Sequence, residues 1–320
     1  MRDVAEGAAA GGDTLLKFML GEGNVRGVVV RLEESWREMQ RRRAHEGAVR
    51  SLLGEMTAAS ALLAGSLKFD GTLVLQIHGD GPLRLAVAEC QPDFGLRATA
   101  QAAAAAAAAP HLTALANAHG MGRCALTLDP RARKPGQTPY QGIVALTDDM
   151  GQGHADLAAV LRQYLEKSEQ IPSWVILAAD DERACGLLVQ RMPDAGGTSS
   201  AGREKVDEDF ARAMHLAATL GRAELLRETP EALLRRLFWE ESPRVFEPRT
   251  PHFHCTCSRA RVADMLRMLG RDEVESVLEE RGQVDVACEF CGAGYAFDLV
   301  DAARLFKADI DQPPGPMHPQ

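Results

Sequence analysis

The sequence predicts an α+β protein in three parts: a strand-rich N-terminal domain with helices, a helical linker, and a small C-terminal module built on four cysteines. Three observations carry this expectation. Runs of β-branched and alternating apolar residues recur between residues 13 and 192, set around a few stretches of helical period. A Gly/Ser-rich stretch at 193–202 (PDAGGTSSAG) then breaks the pattern and leads into a highly charged helical segment. Beyond that, two close cysteine pairs, Cys255/Cys257 and Cys288/Cys291, bracket 30 residues. The division that follows is a disordered tail at 1–12, the N-terminal domain at 13–192, a hinge and linker at 193–252, the cysteine module at 253–308 and a disordered Pro-rich tail at 309–320.

Residues 13–20 and 25–32 are expected as strands around Gly21-Glu22-Gly23, since Val28-Val29-Val30 suits a buried strand. Helix is expected from Glu33 to about Gly65 with a break near Gly47, its core face carrying Leu52, Leu53, Met56, Ala59, Leu62 and Leu63. The Arg41-Arg42-Arg43 run lies in that helix after acidic residues and reads as a solvated face rather than a phosphate site. Residues 72–78 and 83–89 flank Gly79-Asp80-Gly81-Pro82, a hairpin signal; a phosphate loop would need a helix next, and a strand follows. Residues 96–99 are one more strand. The eight alanines at 102–109 bury little and read as a surface loop or short helix. A strand pair at 125–128 and 143–146, an amphipathic helix at 156–167, and strands at 174–178 and 186–190 complete the domain.

The segment from Val206 to Glu241 is helical, with a narrow seam of Phe210, Ala213, Met214, Ala217 and Leu220, a stop at Gly221 and a second start at Thr229-Pro230-Glu231. It buries too little to stand alone and must lean on a neighbour. In the module, Ser258 caps a helix ended by Gly270. A second helix spans about 271–281. Val284 and Val286 lead as a strand into Cys288-Glu-Phe-Cys291-Gly292, where glycine lets the backbone turn back toward the sulfurs. Residues 295–297 return as a strand, and a short helix follows at 301–306.

Two cysteine pairs separated by one small supersecondary unit supply a tetrahedral four-thiolate site, and such soft ligands select zinc or an iron–sulfur cluster; zinc is the expectation. The bland reading is a pair of structural disulfides. No secretory signal is read at the start of the chain, so a reducing cytoplasm is expected and static disulfides are disfavoured. His252 and His254 sit next to the first pair as competing ligands, but four sulfurs already fill a tetrahedron. Arg259 and Arg261 are placed to moderate the negative charge of the sulfurs. Cys90, Cys124 and Cys185 stand apart and read as small buried hydrophobes. Nothing points to an open catalytic metal position, and no GxSxG or HExxH pattern occurs, so no enzyme is expected. A net charge of −9 and few aromatics argue against general nucleic-acid binding. That weakens the alternative of a zinc-ribbon regulator. A thiol oxidoreductase would need a helix starting inside the CxxC motif, where a glycine-rich turn stands instead. No run of 18 apolar residues spans a membrane.

The HCTCS…CEFCG arrangement resembles the C-terminal signature of the redox-regulated heat-shock protein 33 family. The blocks LLAGSLKFDGTLVLQIHGDGPL, AVAEC, PYQGIVAL, YLEKSEQIPSWVILAAD and GLLVQRMP extend the resemblance over about residues 13 to 307. It departs in the N-terminal extension, the alanine insert, the long 193–202 stretch and the Pro-rich tail. The resemblance implies an ATP-independent holdase of the bacterial cytoplasm, inactive while reduced and bound to one zinc through Cys255, Cys257, Cys288 and Cys291. It further implies that oxidation forms Cys255–Cys257 and Cys288–Cys291 disulfides, releases zinc and unfolds the linker. The active form is then a homodimer that holds unfolding clients for ATP-driven foldases. From physics alone, losing a metal worth about 10–16 kcal/mol should unfold so small a module, and the linker should then lose whatever packing it had against that module.

Overall fold

The structure, a computed structural model, describes residues 12–132, 136, 138–193 and 200–307. The tails expected at 1–12 and 309–320, apart from Gly12, and most of the hinge at 193–202 lie outside the described residues. The chain forms two compact units, Met1–His254 and Cys255–Gln320.

The first unit opens with β1 (Thr14–Leu20), β2 (Val25–Leu32), α1 (Glu34–Arg42) and α2 (Gly47–Ser66). Strands β3 (Gly71–His78), β4 (Leu83–Cys90) and β5 (Gly95–Ala102) follow, then the short α3 (Leu112–Ala116). Next come β6 (Arg123–Pro130), β7 (Tyr140–Ala145), α4 (Leu157–Lys167), β8 (Ser173–Ala179) and β9 (Ala184–Arg191). The linker supplies α5 (Ser200–Ala218), α6 (Arg222–Arg227) and α7 (Pro230–Phe238), followed by β10 (Arg244–Val245) and β11 (His252–Phe253). One sheet has the order β10-β1-β2-β9-β8 and another the order β11-β5-β4-β3-β6-β7. Pairing is antiparallel except at β11, which runs parallel to β5.

Helix α2 touches strands of both sheets. Its buried residues run almost all the way round, from Val49 through Leu63 to Ser66. A helix apolar on every side belongs in a core, and α2 is the centre of one that also takes Val30, Leu75, Ile77 and Tyr164. The break expected near Gly47 is present: Gly47 has φ +53, and a Cβ there would lie 2.0 Å from the Ala107 carbonyl oxygen. The alanine insert is therefore held at one point. It closes β5 and continues as a single 3-10 turn over Ala104–Ala108, in which Ala106 is buried, Ala107 half-buried and the rest exposed. Asp13 caps α1 from outside it, its carboxylate accepting from the amides of Glu33, Glu34 and Ser35.

The neighbour that the linker leans on is the five-stranded sheet of its own unit. Ala213, Ala217, Leu220, Leu225, Leu233, Leu234, Leu237 and Phe238 pack with Phe18, Val29, Leu187 and Val189. The Phe18 and Phe238 rings lie 5.4 Å apart. Of the sequence-derived seam, Ala213, Ala217 and Leu220 are fully buried, Phe210 is partly buried, and Met214 does not join the cluster. The segment forms three helices because Gly221 and the Thr229-Pro230 start each reset the backbone. The Thr229 hydroxyl accepts from the Ala232 amide at 3.3 Å.

Polar clamps fasten the linker to the sheet. Arg31 on β2 donates through Nη1 to the carbonyls of Leu226 and Glu228, at 2.8 and 2.9 Å. From the linker side, Arg222 donates to the Leu177 carbonyl at 2.7 Å and pairs with buried Glu55 of α2. Asn24 donates to the buried Asp209 carboxylate of α5 at 2.8 Å.

The second unit contains α8 (Arg259–Leu269), α9 (Arg271–Arg281), the antiparallel pair β12 (Val284–Ala287) and β13 (Gly294–Phe297), and α10 (Leu299–Lys307). Its core is slight: nine buried apolar side chains among the described residues, the largest being Phe297 and Phe306. Ser258 caps α8 by accepting from the Arg261 amide at 3.2 Å.

Candidate metal centre

The CxC pair lies in the extended chain before α8, and the CxxC pair sits in the turn between β12 and β13. That turn is a tight knuckle. The Cys288 amide donates to the Ala293 carbonyl at 2.9 Å, and the Gly292 amide to the Cys288 carbonyl at 2.8 Å. Gly292 takes φ +71, in the left-handed region where a side chain is strained, as its place after Cys291 suggests.

The Sγ atoms of Cys255, Cys257, Cys288 and Cys291 all lie within 4.8 Å of one another. Cys255 and Cys288 sulfurs are 3.7 Å apart, and those of Cys257 and Cys291 are 3.4 Å apart. Four thiolates placed tetrahedrally at the Zn–S distance of 2.3 Å would stand about 3.8 Å from each other. The donor set therefore fits zinc in both number and spacing. Three of the four cysteines are half-buried and Cys291 is buried. Burial pushes the Cys291 thiol up to about 12, and the neighbouring sulfurs of Cys257, Cys255 and Cys288 add to the rise.

Among the described residues, this is the one group of three or more His, Cys, Asp or Glu side chains close enough to hold an ion. His252 and His254 are not part of it. They follow the edge of the six-stranded sheet, where the His254 amide donates to the Leu96 carbonyl at 2.9 Å. The two arginines have partners within the second unit. Arg259 stacks 4.2 Å from the Phe297 ring centroid and donates to the Ala296 carbonyl and Asp301. Arg261 donates to the Thr256 hydroxyl at 2.6 Å, steadying the residue between the two CxC sulfurs. Cys90, Cys124 and Cys185 lie in the strands of the first unit, buried, and burial raises each thiol to about 12.

One contributor escaped sequence reasoning. The Tyr295 hydroxyl donates to Cys257 Sγ at 3.1 Å. In sequence Tyr295 is only a strand residue two positions before Phe297. The available signal was period-two alternation, which puts both rings on one face of β13 close after the knuckle.

The chain matches the family model described as Hsp33 protein over residues 13–298. It is 44% identical to the 33 kDa chaperonin of Chromobacterium violaceum over 299 residues, 93% of this chain and 95% of that one. Identity is 41% to the 33 kDa chaperonin of Methylobacillus flagellatus, covering 94% of this chain and 97% of the relative. The crystal structure of the 33 kDa chaperonin (heat shock protein 33 homologue) of Thermotoga maritima has the same fold, with a TM-score of 0.77 at 23% identity, over 94% of this chain and all of that one. With the family model spanning most of its length and relatives this similar across theirs, the chain belongs to the Hsp33 chaperone family.

Proposed function

We propose that the protein is a redox-regulated holdase whose four-sulfur unit is the sensor and whose linker is the responding element. The observation that carries this reading is the convergence of four cysteine sulfurs at zinc-like spacing in a unit with so slight a core. Cys255, Cys257, Cys288 and Cys291 would hold one zinc per chain in the reduced state. The bound ion would keep the four sulfurs as thiolates and tie the start of α8 to the β12–β13 knuckle. The rest of the switch belongs to the chain. A thiolate attacks a peroxide oxygen, the O–O bond breaks, and sulfenic acid and hydroxide form. A second thiolate then attacks that sulfur, making the disulfide and expelling hydroxide.

Family resemblance supports Cys255–Cys257 and Cys288–Cys291 as the bonds formed. In the folded unit the cross-pairs are also close, so closed geometry does not select. Once the unit opens, neighbours in sequence meet at the lower loop-closure cost. Disulfides across so few residues restrain the open chain little, and the unit stays unfolded. The linker's seam against the five-stranded sheet, with Phe238, Leu237 and Leu225, is the apolar surface available to non-native chains on release. In this reading the protein works in the cytoplasm, dimerises when active, holds clients without ATP or turnover, and passes them to ATP-driven foldases.

Metal analysis of the reduced protein tests the sensor. One zinc per chain is expected, with binding weakened and the second unit partly unfolded in Cys288→Ser. Metal-free reduced protein, or a Cys288→Ser variant that keeps tight zinc and native structure, would refute the ligand assignment.

A further inference from the structure

The contact that neither motif predicts is the one from Tyr295 to Cys257. The hydroxyl stands 3.1 Å from the sulfur and donates to it. Its position is fixed from two sides. The Tyr295 backbone pairs with Val286 across the β12–β13 ladder. Its ring is half-buried against the core of the second unit. The donor thus arrives from the knuckle's return strand at a sulfur of the opposite cysteine pair.

We infer that Tyr295 is a positioning residue that holds Cys257 back from oxidants and so sets the threshold of the switch. The inference rests on the sensor reading above. An O–H hydrogen bond to a thiolate draws charge from the sulfur and occupies a lone pair that would otherwise attack. Hydrogen bonds to ligand sulfurs also strengthen the hold of a site on its metal and tune its redox behaviour. With Cys257 restrained, the peroxide oxygen is taken first by another sulfur of the cluster. That sulfur becomes the sulfenic acid while hydroxide leaves. Cys257 enters later, as a thiolate attacking a sulfenic sulfur once the unit has loosened, with hydroxide again the leaving group. Removing the hydroxyl therefore changes both how fast oxidation begins and where.

The experiment uses full-length, zinc-loaded wild-type protein, Tyr295→Phe and Phe297→Leu, the last loosening the same core without touching a sulfur. Each is exposed to excess hydrogen peroxide. Zinc release is followed with a chromogenic chelator, and early sulfenic acids are trapped with a cyclic 1,3-diketone and located by peptide mass spectrometry. In Tyr295→Phe, release should quicken about tenfold, the size expected for losing one hydrogen bond to a charged acceptor. Early label should also appear at Cys257, which stays nearly unlabelled in wild type. Phe297→Leu should leave the label pattern as in wild type. Equal rates and equal label patterns in Tyr295→Phe and wild type would overturn the inference. So would faster release in Tyr295→Phe with no gain of label at Cys257, since general loosening would then explain it. Wild-type protein that binds no zinc, or keeps it under peroxide, would instead overturn the sensor reading and the inference with it.

Discussion

Seven cysteines divide into two chemical kinds by their surroundings. Cys90, Cys124 and Cys185 are buried in the first unit, and loss of solvation raises each thiol to about 12. Almost none of their thiolate exists near neutral pH, and the thiolate is the reactive form. With metal chelated, the second unit opens and exposes its four cysteines, so a thiol reagent should modify those quickly and the other three only after denaturant unfolds the first unit. Mass spectrometry of the alkylated chain reads this directly; rapid labelling of Cys124 in native protein would contradict it. Directly after the second pair of cysteines, Gly292 needs its positive φ. Gly292→Ala should cost about 1 kcal/mol or more through strain in the left-handed region, seen as a lower melting temperature of the zinc-loaded second unit. The four-cysteine cluster and this glycine were legible in sequence because spacing and residue type alone define a knuckle. Tyr295 was not, because its role depends on which strand face meets which sulfur, and that is settled only by the fold.

The linker was only partly legible in the sequence. Its helix starts and stops were readable from Gly221 and Thr229-Pro230, and most of its apolar seam from helical spacing. Its partner was not readable. A narrow stripe says that something must cover it, not what does, and the cover proves to be the five-stranded sheet of its own unit. Phe238 is fully buried beside Phe18 in this seam. Phe238→Ala should weaken the docking by about 3–5 kcal/mol, the usual cost of emptying a buried aromatic site. Limited proteolysis should then cut within α5–α7 before any oxidant is added, and the reduced variant should already slow client aggregation. A linker as resistant as wild type would contradict this.

The clamp at Arg31 adds a pH dependence. Burial works against the charge on Glu33, but Arg31 and then Arg183 outweigh it and hold that carboxyl below its usual range. A depressed carboxylate contributes stability that is present above its unfolded value of about 4.3 and is lost as pH falls through its folded value. Docking of the linker should accordingly weaken on acidification below about pH 4. The denaturant midpoint of Glu33→Gln should fall less steeply over that range than that of wild type.

At the scale of the whole molecule, the two units differ in how they hold together. The first has α2 enclosed by strands of both sheets. The second has nine buried apolar side chains among its described residues and a four-sulfur cluster. A structural zinc is worth about 10–16 kcal/mol, comparable to the entire stability of a typical domain. Removing the metal should therefore unfold the second unit while the first keeps its cooperative transition. The α+β class and most strands followed from alternation and turn residues. The short α3, β10 and β11 did not, because pieces of two to five residues are stabilised by neighbours that local sequence does not name.

Loss of metal from the four cysteines and gain of client holding should be one event. The direct test follows both in one sample: reduced, zinc-loaded protein treated with peroxide at elevated temperature in the presence of a thermally unfolding client, with zinc release and light scattering recorded together. Scattering should be suppressed only as zinc is released, and reductant with zinc should restore both signals. Full zinc release with undiminished client aggregation would contradict it.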